Sequence, residues 1–212
     1  MKIQLSTIFL GLMIFFSLQI QAKAQSATSR PPNYISDFIK DYISIKYPSV
    51  VLDTFIYVGV ERQKMYLFIN GEVEKIYSVS TSKNGAGTIA GSEQTPVGLH
   101  VINGKYGEGL PKGGVLKGKK FTGQIADIQS EPIPTNSDDI TSRVLTIEGL
   151  EKGVNKGGQL DSYDRKIYIH GTTEEGLIGQ PASHGCIRMK NDDVIELFDI
   201  IESGIKLIIL NN

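Results

Sequence analysis

From Thr54 onward the chain is written in short runs of β-branched, aromatic and aliphatic residues, most of them bounded by glycine, asparagine or proline. Runs of about 4–8 residues suit strands, whereas a helix needs about 10 or more. The spacing predicts strands at Thr54–Val60, Met65–Ile69, Val73–Val79, Val97–Ile102, Arg143–Ile147, Lys166–His170 and Ile205–Leu210. Asn70-Gly71 separates the second and third runs, and both residues accept the positive φ that a two-residue hairpin turn requires. Residues 54–212 are thereby confined to a mainly β domain with a few helices.

Helical periodicity occurs twice. Ile35, Phe38, Ile39, Tyr42 and Ile45 recur at helical spacing, with Asn33 as a cap, an end near Lys46 and Pro48 just beyond. Towards the C-terminus, Asp192 and Asp193 follow Asn191 in a first helical turn, and Val194, Ile195, Leu197, Phe198 and Ile201 form an apolar face that stops at Gly204. Gly104–Gly123 is instead rich in glycine and lysine and poor in apolar residues. It predicts a long surface loop, either functional or disordered, with a lid or substrate-side role the favoured reading.

The first residues read as a secretory signal over residues 1–24: Lys2, a mostly apolar run from Ile3 to Leu18, and small residues at Ala22-Lys23-Ala24. An uncleaved anchor is disfavoured, because the apolar run falls short of the roughly 20 residues of a comfortable membrane span. The expected mature chain begins near Gln25 and resides in the periplasm or cell envelope. Ser26–Pro32 reads as a polar linker, so residues 25–53 hold a linker and short helix, and residues 54–212 hold the one sizeable domain. Loss of Lys2 and Lys23 takes the net charge from −1 to −3 (−1 − 2), and no Lys/Arg block remains to neutralise a row of phosphates. Nucleic acid is excluded as a partner on that ground.

An exported chain with one cysteine has no internal disulfide to make, so Cys186 is either buried packing or a thiol put to use. Its surroundings favour use. Ile169-His170-Gly171-Thr172 and Ser183-His184-Gly185-Cys186-Ile187-Arg188-Met189 gather two of the three histidines about it. A thiol attacks as thiolate, and a neighbouring imidazole can take its proton and return it to a leaving amine. In the predicted strand Lys166–His170, His170 ends the run and points away from the face of Ile167 and Ile169, which makes it the favoured base. His184, two residues before Cys186, has spacing that does not choose between base and supporting group.

Gly185 permits an unusual backbone angle beside the nucleophile, and the N–H groups of Gly185 and Cys186 are candidate oxyanion donors. Arg188 offers a planar fork either to a substrate carboxylate or to a structural one. Zinc is disfavoured: His100, His170, His184 and Cys186 lack paired-ligand spacing, and a closed four-ligand site would leave no open position for chemistry. No metal and no other cofactor is expected.

The two segments, extended by Pro181-Ala182 on the N-terminal side of Ser183, resemble the signature of the L,D-transpeptidase catalytic-domain family. Thr95-Pro96-Val97-Gly98 is similar to that family's upstream threonine-proline segment, and Ser80–Gly85 sits where the family runs a strand into a substrate-facing loop. The resemblance covers roughly Thr54–Leu210. It implies a β-sandwich-like catalytic domain that acts on peptidoglycan stem peptides. By the same resemblance Cys186 is the nucleophile, His170 the proton carrier and Gly185 with Cys186 the oxyanion donors, with Ser183, His184, Gly171 and Arg188 in supporting or binding roles. Cys186 would attack the L-centre carbonyl of the third stem residue and release D-alanine. The thioester would pass to an acceptor amine as a 3–3 crosslink, to a wall-anchored lipoprotein, or to water. Carbapenems are the implied covalent inhibitors. A hydrolytic carboxypeptidase or amidase, and a silent wall-binding module, remain the alternatives. Many relatives carry a separate wall-binding module, and the helix before Thr54 is too short to be one, so the Gly104–Gly123 lysines are the expected wall contact.

Overall fold

The computed structural model describes residues 34–50, 52–135 and 138–212. The expected signal peptide, linker and Asn33 cap lie outside these residues. Two units separate, one up to Pro48 and one from Ser49 to Asn212. In the first, α1 (Tyr34–Lys46) carries Asp37 in its first turn and Lys46 in its last, each suited to the helix dipole. Phe38 stacks on Tyr42 within it, with ring centroids 6.4 Å apart.

The second unit is mainly β. Its strands are β1 (Phe55–Gly59), β2 (Lys64–Ile69), β3 (Glu72–Ser80), β4 (Gly98–Tyr106), β5 (Gly114–Lys117), β6 (Lys120–Ile125), β7 (Ile140–Gly149), β8 (Tyr168–Thr172), β9 (Ile187–Met189) and β10 (Lys206–Leu210). One helix, α2 (Asn191–Ile200), follows β9. All ten strands join one mixed sheet in the order β4-β10-β1-β2-β3-β9-β8-β7-β5-β6, parallel at β1–β10 and β8–β9. β4 also pairs with β7, so the sheet returns on itself around one core and leaves β5–β6 as a branch. The sandwich-like expectation takes the form of this single closing sheet.

Alternation along the strands decides what enters the core. Ile169 of β8 and Ile187 of β9 lie side by side and belong to one apolar cluster with Ile56, Leu67, Ile147 and Leu207. Val194, Leu197 and Phe198 of α2 join the same cluster. Asn70 and Gly71 have φ of 52° and 70° and close the β2–β3 hairpin, as their pairing in the sequence predicts.

The expectation of one long loop over Gly104–Gly123 is corrected. Residues 104–106 finish β4, and residues 114–125 form the β5–β6 hairpin. Val115 and Leu116 pair with Thr141 and Ile140 of β7 and are buried, while every residue of β6 is exposed. Two apolar anchors are too few to register as a periodicity, yet they suffice where a neighbouring strand supplies the hydrogen bonds. β8 is also displaced from its predicted range, so His170 lies in the middle of the strand. α2 ends at Ile200, before the predicted stop at Gly204.

Candidate active site

β8 and β9 run parallel with Ile169 beside Ile187, His170 beside Arg188 and Gly171 beside Met189. The two isoleucines point into the core, so the intervening residues, Tyr168 and His170 on one strand and Cys186 and Arg188 on the other, share the opposite face. Cys186 directly precedes β9. Its Sγ accepts the Tyr168 N–H at 3.4 Å and lies 3.6 Å from the Lys166 carbonyl oxygen, to which it donates. His170 is thus its diagonal neighbour across the strand pair.

Cys186 is held at the end of a tight turn. Ser183 is buried and donates its hydroxyl to the Cys186 carbonyl at 2.6 Å, while accepting the Gly185 N–H at 3.2 Å. Thr95 donates to the Gly185 carbonyl at 3.0 Å, and the Ser183 N–H donates to the Thr81 carbonyl at 2.9 Å. Gly185 has a φ of 118°, and an added Cβ would lie 3.2 Å from Ile167 Cδ1 and 3.3 Å from the Gln94 carbonyl oxygen. The backbone requires glycine there, and the space around it is tight. Gly171 is required by space alone: a Cβ would come within 2.7 Å of both Asn191 Oδ1 and the Thr141 carbonyl oxygen.

The tautomer of His170 follows from its partner. Nδ1 lies 2.7 Å from the Gly171 carbonyl oxygen, which only accepts, so Nδ1 carries the hydrogen and the lone pair is on Nε2. Burial holds the His170 pKa down to about 4, against the raising effects of the Gly171 bond and the Asp138 charge. Burial likewise pushes the Cys186 thiol up to about 11, although the Tyr168 N–H, Arg188 and Arg165 pull the other way. The resting pair is therefore neutral thiol and neutral imidazole, an arrangement for proton transfer during attack rather than a standing thiolate.

His184 has both ring nitrogens engaged. Nδ1 is 2.7 Å from Asp138 Oδ2, and Nε2 is 2.9 Å from Lys83 Nζ. A lysine ammonium only donates, so Nε2 accepts and Nδ1 donates to the carboxylate. His184 has no nitrogen left for the thiol proton in this arrangement.

Arg188, 2% exposed, donates to Glu174 Oε2 at 2.8 Å through one terminal nitrogen and to Asp138 Oδ1 through the other. Of the two readings left open for its fork, the structure occupies the one with protein carboxylates. Burial works to raise the Asp138 pKa, but the Arg188 charge and the His184 hydrogen bond outweigh it and hold the carboxylate below its usual range. Asp138 and Glu174 carry no signal in the sequence, and Lys83 shows there only as part of the Ser80–Gly85 segment. Asp138 lies 46 residues from the histidine it touches, and only strand pairing brings the two together. Asn191 reads in the sequence as the start of a helix, yet its side chain also accepts from Thr141 and Ser142 and donates to the Thr172 carbonyl, joining α2 to β7 and β8. His100 stands apart from this group, with Nδ1 3.0 Å from the Gly98 carbonyl and Nε2 3.0 Å from Ser162 Oγ.

Two cavities open beside the turn. One, of about 560 Å³, is lined by Lys83, Pro134, Asp138, Glu174, Pro181 and Arg188 among others; the second, of about 330 Å³, by Gly91, Glu93, Gln159, Arg165 and Ile167 among others. His184 lines both.

Residues 53–209 match the L,D-transpeptidase catalytic domain. The chain belongs to that family. It is 26% identical over 166 residues to the candidate L,D-transpeptidase YqjB of Bacillus subtilis, covering 76% of this chain and 73% of that one. Among solved structures, the L,D-transpeptidase of Xylanimonas cellulosilytica is 16% identical with a TM-score of 0.47, covering 81% of this chain and 68% of that chain. L,D-transpeptidase 3 of Mycobacterium tuberculosis, solved with a faropenem-derived adduct, is 15% identical with a TM-score of 0.47. That match covers 75% of this chain and 60% of the mycobacterial one. The Cys186 turn and the β8–β9 face both lie inside the matched residues of the family domain.

Proposed function

We propose that this family domain works as a peptidoglycan L,D-transpeptidase in which Cys186 is the nucleophile and His170 the base. The observation that carries the reading is the Gly171 carbonyl bond, which turns the His170 lone pair to Nε2 on the face that Cys186 shares. Nε2 takes the thiol proton as Sγ attacks the L-centre carbonyl of the third stem residue. The oxyanion gathers at the Cys186 N–H. Gly185 N–H serves less well, since Ser183 Oγ already accepts it. Collapse expels D-alanine, whose amine takes the proton back from His170, and leaves a thioester on Cys186.

An acceptor amine then attacks the thioester, giving a 3–3 crosslink, with water or a wall-anchored lipoprotein as competing acceptors. Export to the periplasm or cell envelope, by way of residues 1–24, would place the enzyme beside this substrate. Carbapenems would acylate the same thiol. The test is product analysis on a purified disaccharide tetrapeptide. Crosslinked dimer and free D-alanine are expected; tripeptide alone at every acceptor concentration would make the enzyme a carboxypeptidase.

A further inference from the structure

The tip of the β5–β6 hairpin holds a lysine where the backbone suits glycine or asparagine. Lys117 pairs with Lys120, and the two residues between them, Gly118 and Lys119, have φ of 54° and 67°. A non-glycine residue in that region costs free energy, and it persists where its surroundings over-determine it. Lys119 Nζ lies 5.1 Å from the ring centroid of Tyr106, 5.3 Å from that of Tyr163 and 5.9 Å from that of Tyr168. All three fall within the roughly 6 Å reach of a cation–π contact. Lys75, Lys112 and Lys156 find carboxylates, whereas rings receive Lys119.

The rings come from three places in the sequence, namely the end of β4, the turn before β8 and the first residue of β8. Tyr106 and Tyr163 are 36% and 40% exposed, so the cage is open to solvent. Its third wall belongs to the residue whose N–H touches Cys186 Sγ. An ammonium site thus adjoins the thiol, and the ion now in it sits on a flexible alkyl stem at a hairpin tip.

We propose that Tyr106, Tyr163 and Tyr168 form a subsite for the primary ammonium of the acceptor substrate, and that Lys119 fills this subsite until the acceptor displaces it. The proposal rests on the reading that an amine resolves the thioester. A diamino-acid side chain presents the same chemistry as Lys119, a primary ammonium on an alkyl stem. Exposed cation–π contacts are modest, so a tethered occupant can be displaced. The cage holds the charged form. To react, the ammonium gives one proton to solvent, and the neutral nitrogen attacks the thioester carbonyl. The C–N bond forms as the C–S bond breaks, and a second proton passes through His170 Nε2 to the departing Sγ.

The test uses the whole protein with n-butylammonium as probe and n-butanol as its uncharged counterpart, followed by NMR of labelled tyrosine rings. In Lys119→Met, and in Lys119→Gly, which suits the positive φ, n-butylammonium should shift the three rings saturably and n-butanol should not. Tyr163→Leu added to either variant should weaken that binding about 2–5-fold, the worth of one exposed cation–π contact. At sub-saturating acceptor, Lys119→Met should raise the ratio of crosslinked dimer to tripeptide by a similar factor. Absence of ring shifts in both folded variants, or equal shifts with n-butanol, overturns the subsite even in an enzyme that crosslinks. Ring shifts in an enzyme that only hydrolyses its thioester overturn the acceptor assignment while leaving the cage itself established.

Discussion

Replacing His170 by alanine should convert a nearly pH-independent acylation into one that climbs with pH. The thiol sits at about 11, so at pH 7 only about one molecule in 10⁴ carries a thiolate, since 7 − 11 = −4. A base that removes the proton during attack bypasses that fraction, and the usual worth of such a base is about 10²–10⁴-fold. His170, held down to about 4, remains neutral across pH 6–9, so the wild-type rate should change little in that window. In His170→Ala the rate should fall by about 10²–10⁴-fold at pH 7 and recover by roughly tenfold per pH unit, following the thiolate fraction. His184→Ala should lose less and keep the flat profile, because both its ring nitrogens are already taken by Asp138 and Lys83. The assay is stopped-flow acylation by a carbapenem, with thermal melts confirming that each variant folds. A flat profile in His170→Ala, or the alkaline climb in His184→Ala, would refute this assignment of the base.

Three other outcomes bear on the scaffold. Arg188→Met strands the buried Glu174 carboxylate and should cost about 3–5 kcal/mol in urea denaturation, and a loss under about 1 kcal/mol would mean that the ion pair is not what holds this region. Gly171→Ala drives a Cβ against Asn191 Oδ1 and the Thr141 carbonyl and should lower stability by about 1–3 kcal/mol, with acylation impaired through the displaced His170 bond; an unaltered melt would contradict the predicted clash. His100 and His170 both have folded pKa values lowered to about 4, so the unfolded chain binds more protons below about 6.5 and stability should fall as pH drops from about 6.5 towards 4. Denaturant melts at pH 7 and pH 5 should show that loss, and a smaller one in His100→Gln.

The chemistry was legible in the sequence because it is local. Cys186, Gly185, His184 and Ser183 are adjacent, and period-2 alternation through Ile167 and Ile169 placed His170 on the face away from the core. The Asn70-Gly71 turn and the longer strands are readable for the same reason, since short-range chemistry sets them, whereas the three-residue β9 is too short to carry a pattern of its own. Partnerships across the sheet were not readable. Asp138 gains its meaning only from the strand pairing that brings it to His184 and Arg188. The β5–β6 hairpin reads as loop because half of residues 114–125, turn included, are glycine or lysine, and its order comes from pairing with β7. Thr95 was visible as part of a motif, but its bond to the Gly185 carbonyl appears only in three dimensions.

The central claim is that Cys186 forms the acyl-enzyme, and the most direct measurement is the intact mass of the protein quenched during turnover of a disaccharide tetrapeptide, followed by peptide mapping. The account predicts an adduct equal to the donor less D-alanine, confined to the peptide that carries Cys186 and absent from Cys186→Ala. An adduct on any other residue, or one that persists in Cys186→Ala, would contradict it.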